Sequence, residues 1–325
     1  EMRTAADGTP YFKAKGVPSR DDKLFGLSRG CNGIPDAIAV MPSGKVVLGG
    51  NFNLCDDVRS AAVVSYEPRT RRFERMGDGT GLTSSVGFNV SEVKALAVSG
   101  TDLYVGGLFT HAGGVPVNNI ARWDGRAWHA LGGGVNFKVN ALAVSGSTLV
   151  AGGETASTPG PPDRVAQWDG GAWRVLASGT GILVSALAAR GGEVYAGGRF
   201  AQIGGRPANN VARWDGNAWH ALGEGTDPYV YALSFFGDDL IAGGTFSRAG
   251  GQLISGVARW DGRAWSSLGD LVRFGGDTPR ASALAVVGGE LIVAGHAIGD
   301  LARRTDFEGL AARLWSIASG EPAGT

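Results

Sequence analysis

Apolar residues along this chain fall in short runs broken by glycine and polar turns, and the runs recur. Val93-Lys94-Ala95-Leu96-Ala97-Val98 returns as Val139-Asn140-Ala141-Leu142-Ala143-Val144, Val184-Ser185-Ala186-Leu187-Ala188-Ala189, Val230-Tyr231-Ala232-Leu233-Ser234-Phe235 and Ser282-Ala283-Leu284-Ala285-Val286. After each comes a short turn and a second apolar run ending on a glycine pair or its variant: Gly49-Gly50, Gly106-Gly107, Gly152-Gly153, Gly197-Gly198, Gly243-Gly244 and Ala294-Gly295. The first members of these pairs lie 57, 46, 45, 46 and 51 residues apart. Two further runs follow, marked by Trp123-Asp124-Gly125 with Trp128, Trp168-Asp169-Gly170 with Trp173, Trp214-Asp215-Gly216 with Trp219, and Trp260-Asp261-Gly262 with Trp265. Each repeat therefore predicts four short strands, and stretches of helical period are essentially absent.

Internal repeats of this length and strand content predict an all-β, six-bladed β-propeller of four-stranded antiparallel blades, with strands a to d running outward from the axis. Repeat one is diverged, with strands expected at 36–40, 45–50, 62–66 and 73–77, and with Tyr66 and Phe73 where later repeats place Trp. Repeat six supplies strands a and b and a strand c at 311–315, after which no strand d remains. Residues 24–30 align with 128–134, so 23–30 read as the missing strand d, closing the ring three-plus-one and covering edges that an open ring would expose. The expected organisation is a lead segment, 1–22, and a single propeller domain, 23–325.

The pattern Val-x-Ala-Leu-Ala-Val, Leu-Tyr-Val-Gly-Gly-x-Phe, Asn-Asn-x-Ala-Arg-Trp-Asp-Gly and Trp-x-x-Leu-Gly resembles the kelch-like repeats of large surface and secreted proteins. The delta-60 repeat proteins of bacteria and the propeller of the fungal cortical-marker membrane protein look most similar. Blade one, with Met41-Pro42-Ser43-Gly44-Lys45-Val46-Val47-Leu48-Gly49-Gly50, looks especially like the bacterial form. The resemblance spans nearly the whole chain. It implies a propeller fold and an adhesion or scaffold setting, and it leaves function to the site, because fold does not fix function.

Features common to every blade are explained by what every blade needs. Asp-Gly belongs to tight c-to-d hairpins. The paired Trp residues fill space between diverging blades. The glycine pairs admit a close approach of backbone near the axis. His129 and His220 read as surface strand residues. The Gly-rich stretch 132–138 lacks the Gly-Lys-Ser/Thr ending of a phosphate loop and does not open a helix.

Function is expected where the repeat breaks down. The a–b and c–d turns share one face of the disc and are monotonous, whereas the b–c and interblade loops share the other and vary, notably 77–92, 132–138, 223–229, 269–279, 154–163 and 297–309. Such variable loops on a rigid scaffold point to a binding face. Directly after the glycine pairs stand Asn51, Leu108, Glu154, Arg199, Thr245 and His296, and just before the Ala-Leu of strand a stand Asp36, Lys94, Asn140, Ser185, Tyr231 and Ser282. These mostly polar positions form a candidate ligand-binding ring at the channel mouth.

Charge and chemistry narrow the function classes. Thirty basic and thirty acidic residues give a net charge of zero and a pI of about 7.2, which removes any bulk attraction to nucleic acid or anionic lipid. No apolar run reaches the roughly 18 to 20 residues of a helical membrane span. The chain opens on Glu1, as a mature chain whose signal was removed or a piece of a longer protein would. Cys31 and Cys55 are expected side by side on the variable face, one in the loop entering blade one and the other in its b–c loop. A disulfide between them implies an oxidising compartment, hence a secreted or cell-surface protein. Neither has zinc-ligand spacing, and no metal or cofactor is expected. Asn89-Val90-Ser91 is a glycosylation sequon. The leading expectation is a non-catalytic extracellular binding or scaffold propeller that holds a protein or glycan, within a larger surface assembly. A multivalent lectin would instead use interblade pockets beside Arg122, Arg213 and Arg259. A secreted hydrolase or lyase would draw its acid and base from Asp36, Glu154 and His296, but the common hydrolase signatures, including the sialidase Asp box, are missing from the sequence.

Overall fold

A computed structural model describes residues 2–4, 10–12, 30–84, 91–155, 163–179, 181–268, 280–287, 290–296 and 310–315. The described residues are all-β, with no helix among them. Five four-stranded antiparallel sheets follow one another along the chain, each in the order a-b-c-d, and a three-stranded sheet follows them. Their strands are Ile34–Val40, Val46–Asn51, Val63–Glu67 and Arg72–Glu74 in sheet one; Glu92–Ser99, Asp102–Leu108, Ile120–Trp123 and Trp128–Ala130 in sheet two; and Phe137–Ser145, Thr148–Thr155, Asp163–Trp168 and Trp173–Ser178 in sheet three. Sheet four holds Leu183–Arg190, Glu193–Arg199, Val211–Trp214 and Trp219–Ala221. Sheet five holds Val230–Phe236, Asp239–Gly244, Val257–Trp260 and Trp265–Ser267, and sheet six Arg280–Val287, Glu290–His296 and Leu310–Trp315. The strand c expected at 311–315 is therefore present. The proposed closing strand lies outside the described residues except for Gly30. Within the lead segment, Met2–Thr4 pairs antiparallel with Pro10–Phe12.

The glycine pairs set the spacing between neighbouring sheets. Strands a of successive sheets lie side by side. A methyl group on Gly106 would stand 2.4 Å from Cγ1 of Val139 in the next strand a, and Gly49, Gly152 and Gly197 meet Val93, Val184 and Val230 in the same way. The first glycine of these four pairs is thus the socket for a neighbouring valine, and Gly243 of sheet five faces Ala281 instead. Farther out, the two tryptophans of each hairpin pair across strands c and d, as Trp214 and Trp219 do with centroids 5.6 Å apart. The second indole reaches the preceding sheet, where Trp173, Trp219 and Trp265 donate Nε1–H to the carbonyls of Leu131, Leu176 and Leu222, each at 2.8 Å. Packing between sheets explains these residues, as the repeat pattern predicts.

A second layer of structure binds the b–c and interblade loops into a belt. Sheets one, two, four and five extend their b–c loops as hairpins, that of sheet one pairing Leu54–Cys55 with Val58–Arg59 and that of sheet four closed by Gly204 and Gly205 at φ 56° and 74°, which a two-residue primed turn requires. The incoming loop strand Leu82–Thr83 pairs with His111–Ala112, and Thr226–Asp227 pairs with Arg248–Ala249. On the other flank of the same loop, Asn210 at φ 64° accepts a hydrogen bond from Phe200 N at 3.0 Å and donates one to Thr226 O at 2.6 Å. In sheet three the buried Arg164 performs this task, donating from Nε to Ile182 O at 3.0 Å. The pairing of interblade loops with b–c hairpins places both on one side of the sheets.

On the side of the a–b turns, Tyr195 Oη donates to Glu193 Oε2 at 2.7 Å, and Arg213 Nη1 donates to Glu193 Oε1 at 2.8 Å. Burial and the bond to Glu193 push the phenol up to about 12. A phenol whose folded pKa is raised contributes stability that is complete below its unfolded value near 10 and is lost as pH rises through the folded value. The difference between absorbance titrations of the unmodified protein and Tyr195→Phe should therefore show a midpoint near 12; a midpoint near 10 would contradict the buried hydrogen bond.

Candidate functional site

The site begins with a defect in the register of strands a and b. In sheet two, Val93 pairs with Gly107 and Ala95 with Gly106, which leaves Lys94 as an extra residue with no partner. The same bulge recurs at Asp36, Asn140, Ser185, Tyr231 and Ser282. These six are the residues that precede Ala-Leu in the repeat. A bulge kinks the strand and re-aims its side chains. The second glycine of each pair exists for the bulge: a methyl group on Gly107 would sit 1.8 Å from the carbonyl oxygen of Glu92.

Immediately beyond the bulge, the residue after the glycine pair faces the residue two before the bulge. Ile34 pairs with Asn51, Glu92 with Leu108, Lys138 with Glu154, Leu183 with Arg199, and Arg280 with His296. In sheet five, Thr245 N donates to Tyr229 O at 3.1 Å. The rim therefore carries three positions per sheet. Sequence reasoning found two and missed the third, Ile34, Glu92, Lys138, Leu183, Tyr229 and Arg280. Its signal is period-two alternation, which puts residues two apart on the same side of a strand.

Sheets one to three contribute an ion network. Lys94 Nζ lies 2.6 Å from Glu92 Oε1 and 3.1 Å from Asp36 Oδ2 of the neighbouring sheet, while Lys138 Nζ lies 2.6 Å from Glu92 Oε2 and 3.6 Å from Glu154 Oε1. Burial pushes the Glu92 carboxyl up, but hydrogen bonds from Lys138 and Lys94 outweigh it and hold its pKa below the ordinary value. Burial likewise pushes the Lys94 ammonium down, and its bonds to Glu92 and Asp36 raise it overall. Both groups stay charged at neutral pH, so this arc is a fixed lattice of alternating charge.

Sheets four to six contribute a different arc. Tyr229 and Tyr231, on either side of Val230, stack with centroids 5.9 Å apart and planes 8° apart. Arg199 of sheet four donates from Nη1 to Tyr229 Oη at 2.9 Å and lies 5.5 Å from the ring centroid. Arg280 of sheet six lies 4.5 Å over the Tyr231 ring. Such contacts hold a guanidinium in place without neutralising it. Of the other expected site residues, Asn51 is exposed, Asn140 and Thr245 are half-buried, and the side chains of His296 and Asn89 lie outside the described residues.

Cys31 and Cys55 form a disulfide beside this rim. The segment from Gly30 is knitted to the hairpin of sheet one: Asn32 N donates to Leu54 O at 2.9 Å, and Asn32 Oδ1 accepts from Asn53 N at 3.1 Å and Leu54 N at 3.2 Å. Among the described residues no three His, Cys, Asp or Glu side chains cluster as a metal site would require.

No family model matches the chain, and no curated protein matches it. Solved structures do. The extracellular domain of the hybrid two component system BT4673 from B. thetaiotaomicron is similar at a TM-score of 0.54 and 10% identity, over 88% of this chain and 32% of that one. A chain of a nidogen/laminin complex is similar at a TM-score of 0.50 and 13% identity, over 86% of this chain and 92% of that one. At such identities the likeness shows the fold alone, the propeller type of sheet repeat.

Proposed function

We propose that the chain is a kelch-like propeller of six blades, closed three-plus-one by residues 23–30 and preceded by the lead segment 1–22, and that it serves as a non-catalytic extracellular module holding a protein or glycan on its loop face. The observation that carries this reading is the rim itself. Six identical bulges, each demanded by a glycine, present side chains that differ from sheet to sheet, on a face where hairpins and interblade loops are bound into a belt. A repeated scaffold that varies only where backbone geometry aims side chains outward is organised for recognition. The disulfide favours an oxidising compartment. The two similar structures, an extracellular domain and a member of a protein complex, are compatible with that setting.

Closure is supported by apolar residues on sheet one. Ile38 and Val40 are 49% and 58% exposed, whereas their counterparts Leu96 and Val98 pack in the core between sheets one and two. Sheet six, placed against strand a of sheet one, would cover them, and 23–30 would complete it as strand d. Deleting residues 1–29 should then lower the melting temperature and promote association through the uncovered edge; a truncated chain that stays monomeric with an unchanged melting curve would refute three-plus-one closure.

The binding reading is tested by screening the folded protein against immobilised extracellular proteins and glycans. Any ligand so found should lose affinity for variants in at least one arc of the rim, Lys138→Ala with Glu154→Ala or Arg199→Ala with Tyr231→Ala, and keep it for Arg126→Ala and Asn217→Ala, in the c–d turns. The reverse pattern would move the binding face to the other side of the disc.

A further inference from the structure

The two arcs of the rim differ in what they leave for a ligand. In the first, Lys94 and Lys138 are each bonded to carboxylates. In the second, neither Arg199 nor Arg280 has a carboxylate partner among the described residues, although both are exposed. Their partners are the two tyrosine rings, which position them and leave their charge intact. A guanidinium fixed in orientation, with no carboxylate partner among the described residues, is arranged for a planar oxyanion.

The same contacts argue against a sugar platform. Stacking of a pyranose needs an open aromatic face, yet Tyr229 and Tyr231 lie parallel with centroids 5.9 Å apart, Arg280 sits over the Tyr231 ring, and Arg199 is bonded to the Tyr229 hydroxyl. What remains at the surface is N–H donors. On the same loop face, the hairpin Arg248–Ala249 to Gln252–Leu253, paired to Thr226–Asp227 just ahead of Tyr229, carries Leu253 at 70% exposure. An exposed leucine on the same face as two cations that lack a carboxylate partner among the described residues matches a polypeptide bearing both apolar and acidic side chains.

We infer that the arc formed by Arg199, Tyr229, Tyr231 and Arg280 binds an acidic peptide segment of a protein partner, with the two guanidiniums taking carboxylates and Leu253 an apolar side chain farther along the segment. This rests on the loop-face reading above and narrows it to one ligand class.

The test uses fluorescence anisotropy of a labelled hexaglutamate peptide, with oligogalacturonate of equal charge as the comparator. Hexaglutamate should bind saturably at low ionic strength and weaken steadily as sodium chloride is added. The double variant Arg199→Gln, Arg280→Gln should lose roughly tenfold or more in affinity, and Tyr229→Phe, which removes only the hydroxyl that holds Arg199, should lose less. Absence of binding, binding indifferent to salt in the unmodified protein, or an unchanged affinity in a double variant with a native near-ultraviolet spectrum would each overturn the proposal. Tighter, arginine-dependent binding of oligogalacturonate would replace the peptide with a saccharide. The broader reading fails separately, when a screened ligand keeps its affinity for variants of both arcs, Lys138→Ala with Glu154→Ala and Arg199→Gln with Arg280→Gln, and loses it for Arg126→Ala in a c–d turn.

Discussion

Trp219→Ala is expected to destabilise the protein by about 3 to 5 kcal/mol, the range for removing a large buried aromatic side chain. Trp219 is 2% exposed and sits in the core shared by sheets three and four, among Leu176, Val194, Ile203 and Trp214. Its edge is covered by the hairpin of its own sheet, where a methyl group on Gly204 would stand 2.5 Å from Cδ1. Backbone on that side restricts collapse of the cavity, which places the cost toward the upper part of the range. The indole also donates to Leu176 O in sheet three at 2.8 Å, so Trp219→Phe leaves a buried acceptor unmatched. Trp128 provides the control, because its Nε1 is buried without a partner among the described residues. Thermal or denaturant unfolding should therefore show Trp219→Phe costing about 1 kcal/mol more than Trp128→Phe. Equal costs would remove the hydrogen bond between sheets as a source of stability, and an unperturbed Trp219→Ala would remove the packing assignment altogether.

Reduction of the disulfide, or the pair Cys31→Ser and Cys55→Ser, is expected to cost about 3.5 kcal/mol on the chain-entropy estimate for a loop closed across 24 residues. The loss should fall on sheet one and the segment leading into it. Cys55 is 1% exposed and packs with Val46, Leu48, Phe52 and Val64, so the bridge ties the incoming segment directly to a core. The Asn32 bonds to the hairpin survive reduction, which predicts loosening at this junction and not loss of the fold. Hydrogen exchange of oxidised and reduced protein should show the change concentrated in residues 30–60. Mass spectrometry of native protein that found two free thiols would overturn the premise, and with it the argument for an oxidising compartment.

Much of this architecture was legible in the chain because its causes are local. A valine that must enter a glycine socket, and a Trp-Asp-Gly hairpin whose Asp215 Oδ1 accepts from both Asn217 N and Ala218 N at 2.8 Å, need the same residues at every turn of the repeat. Spacing therefore exposed strands, hairpins and the variable positions beside the glycine pairs. The belt was less visible, although Gly113-Gly114, Gly204-Gly205 and Gly250-Gly251 carry a recognisable hairpin signal. Its other members share a role without sharing a residue type: Asn119 and Asn210 reach the next interblade loop in two sheets, and Arg164 does so in a third.

Local pattern thus established the sheets, their order and the places where side chains vary. It was silent on what those side chains become together. Lys94 reads as an isolated polar residue until sheet packing sets it between Asp36 of one sheet and Glu92 of its own, and Arg199 reads as one more rim cation until Tyr229, thirty residues later, takes it up. Charge pairing and ring stacking act over a few ångströms in space, and residues that distant along the chain come within that range only when neighbouring sheets pack. The division of the rim into a neutralised arc and an arc whose two guanidiniums have no carboxylate partner among the described residues is a property of that packing.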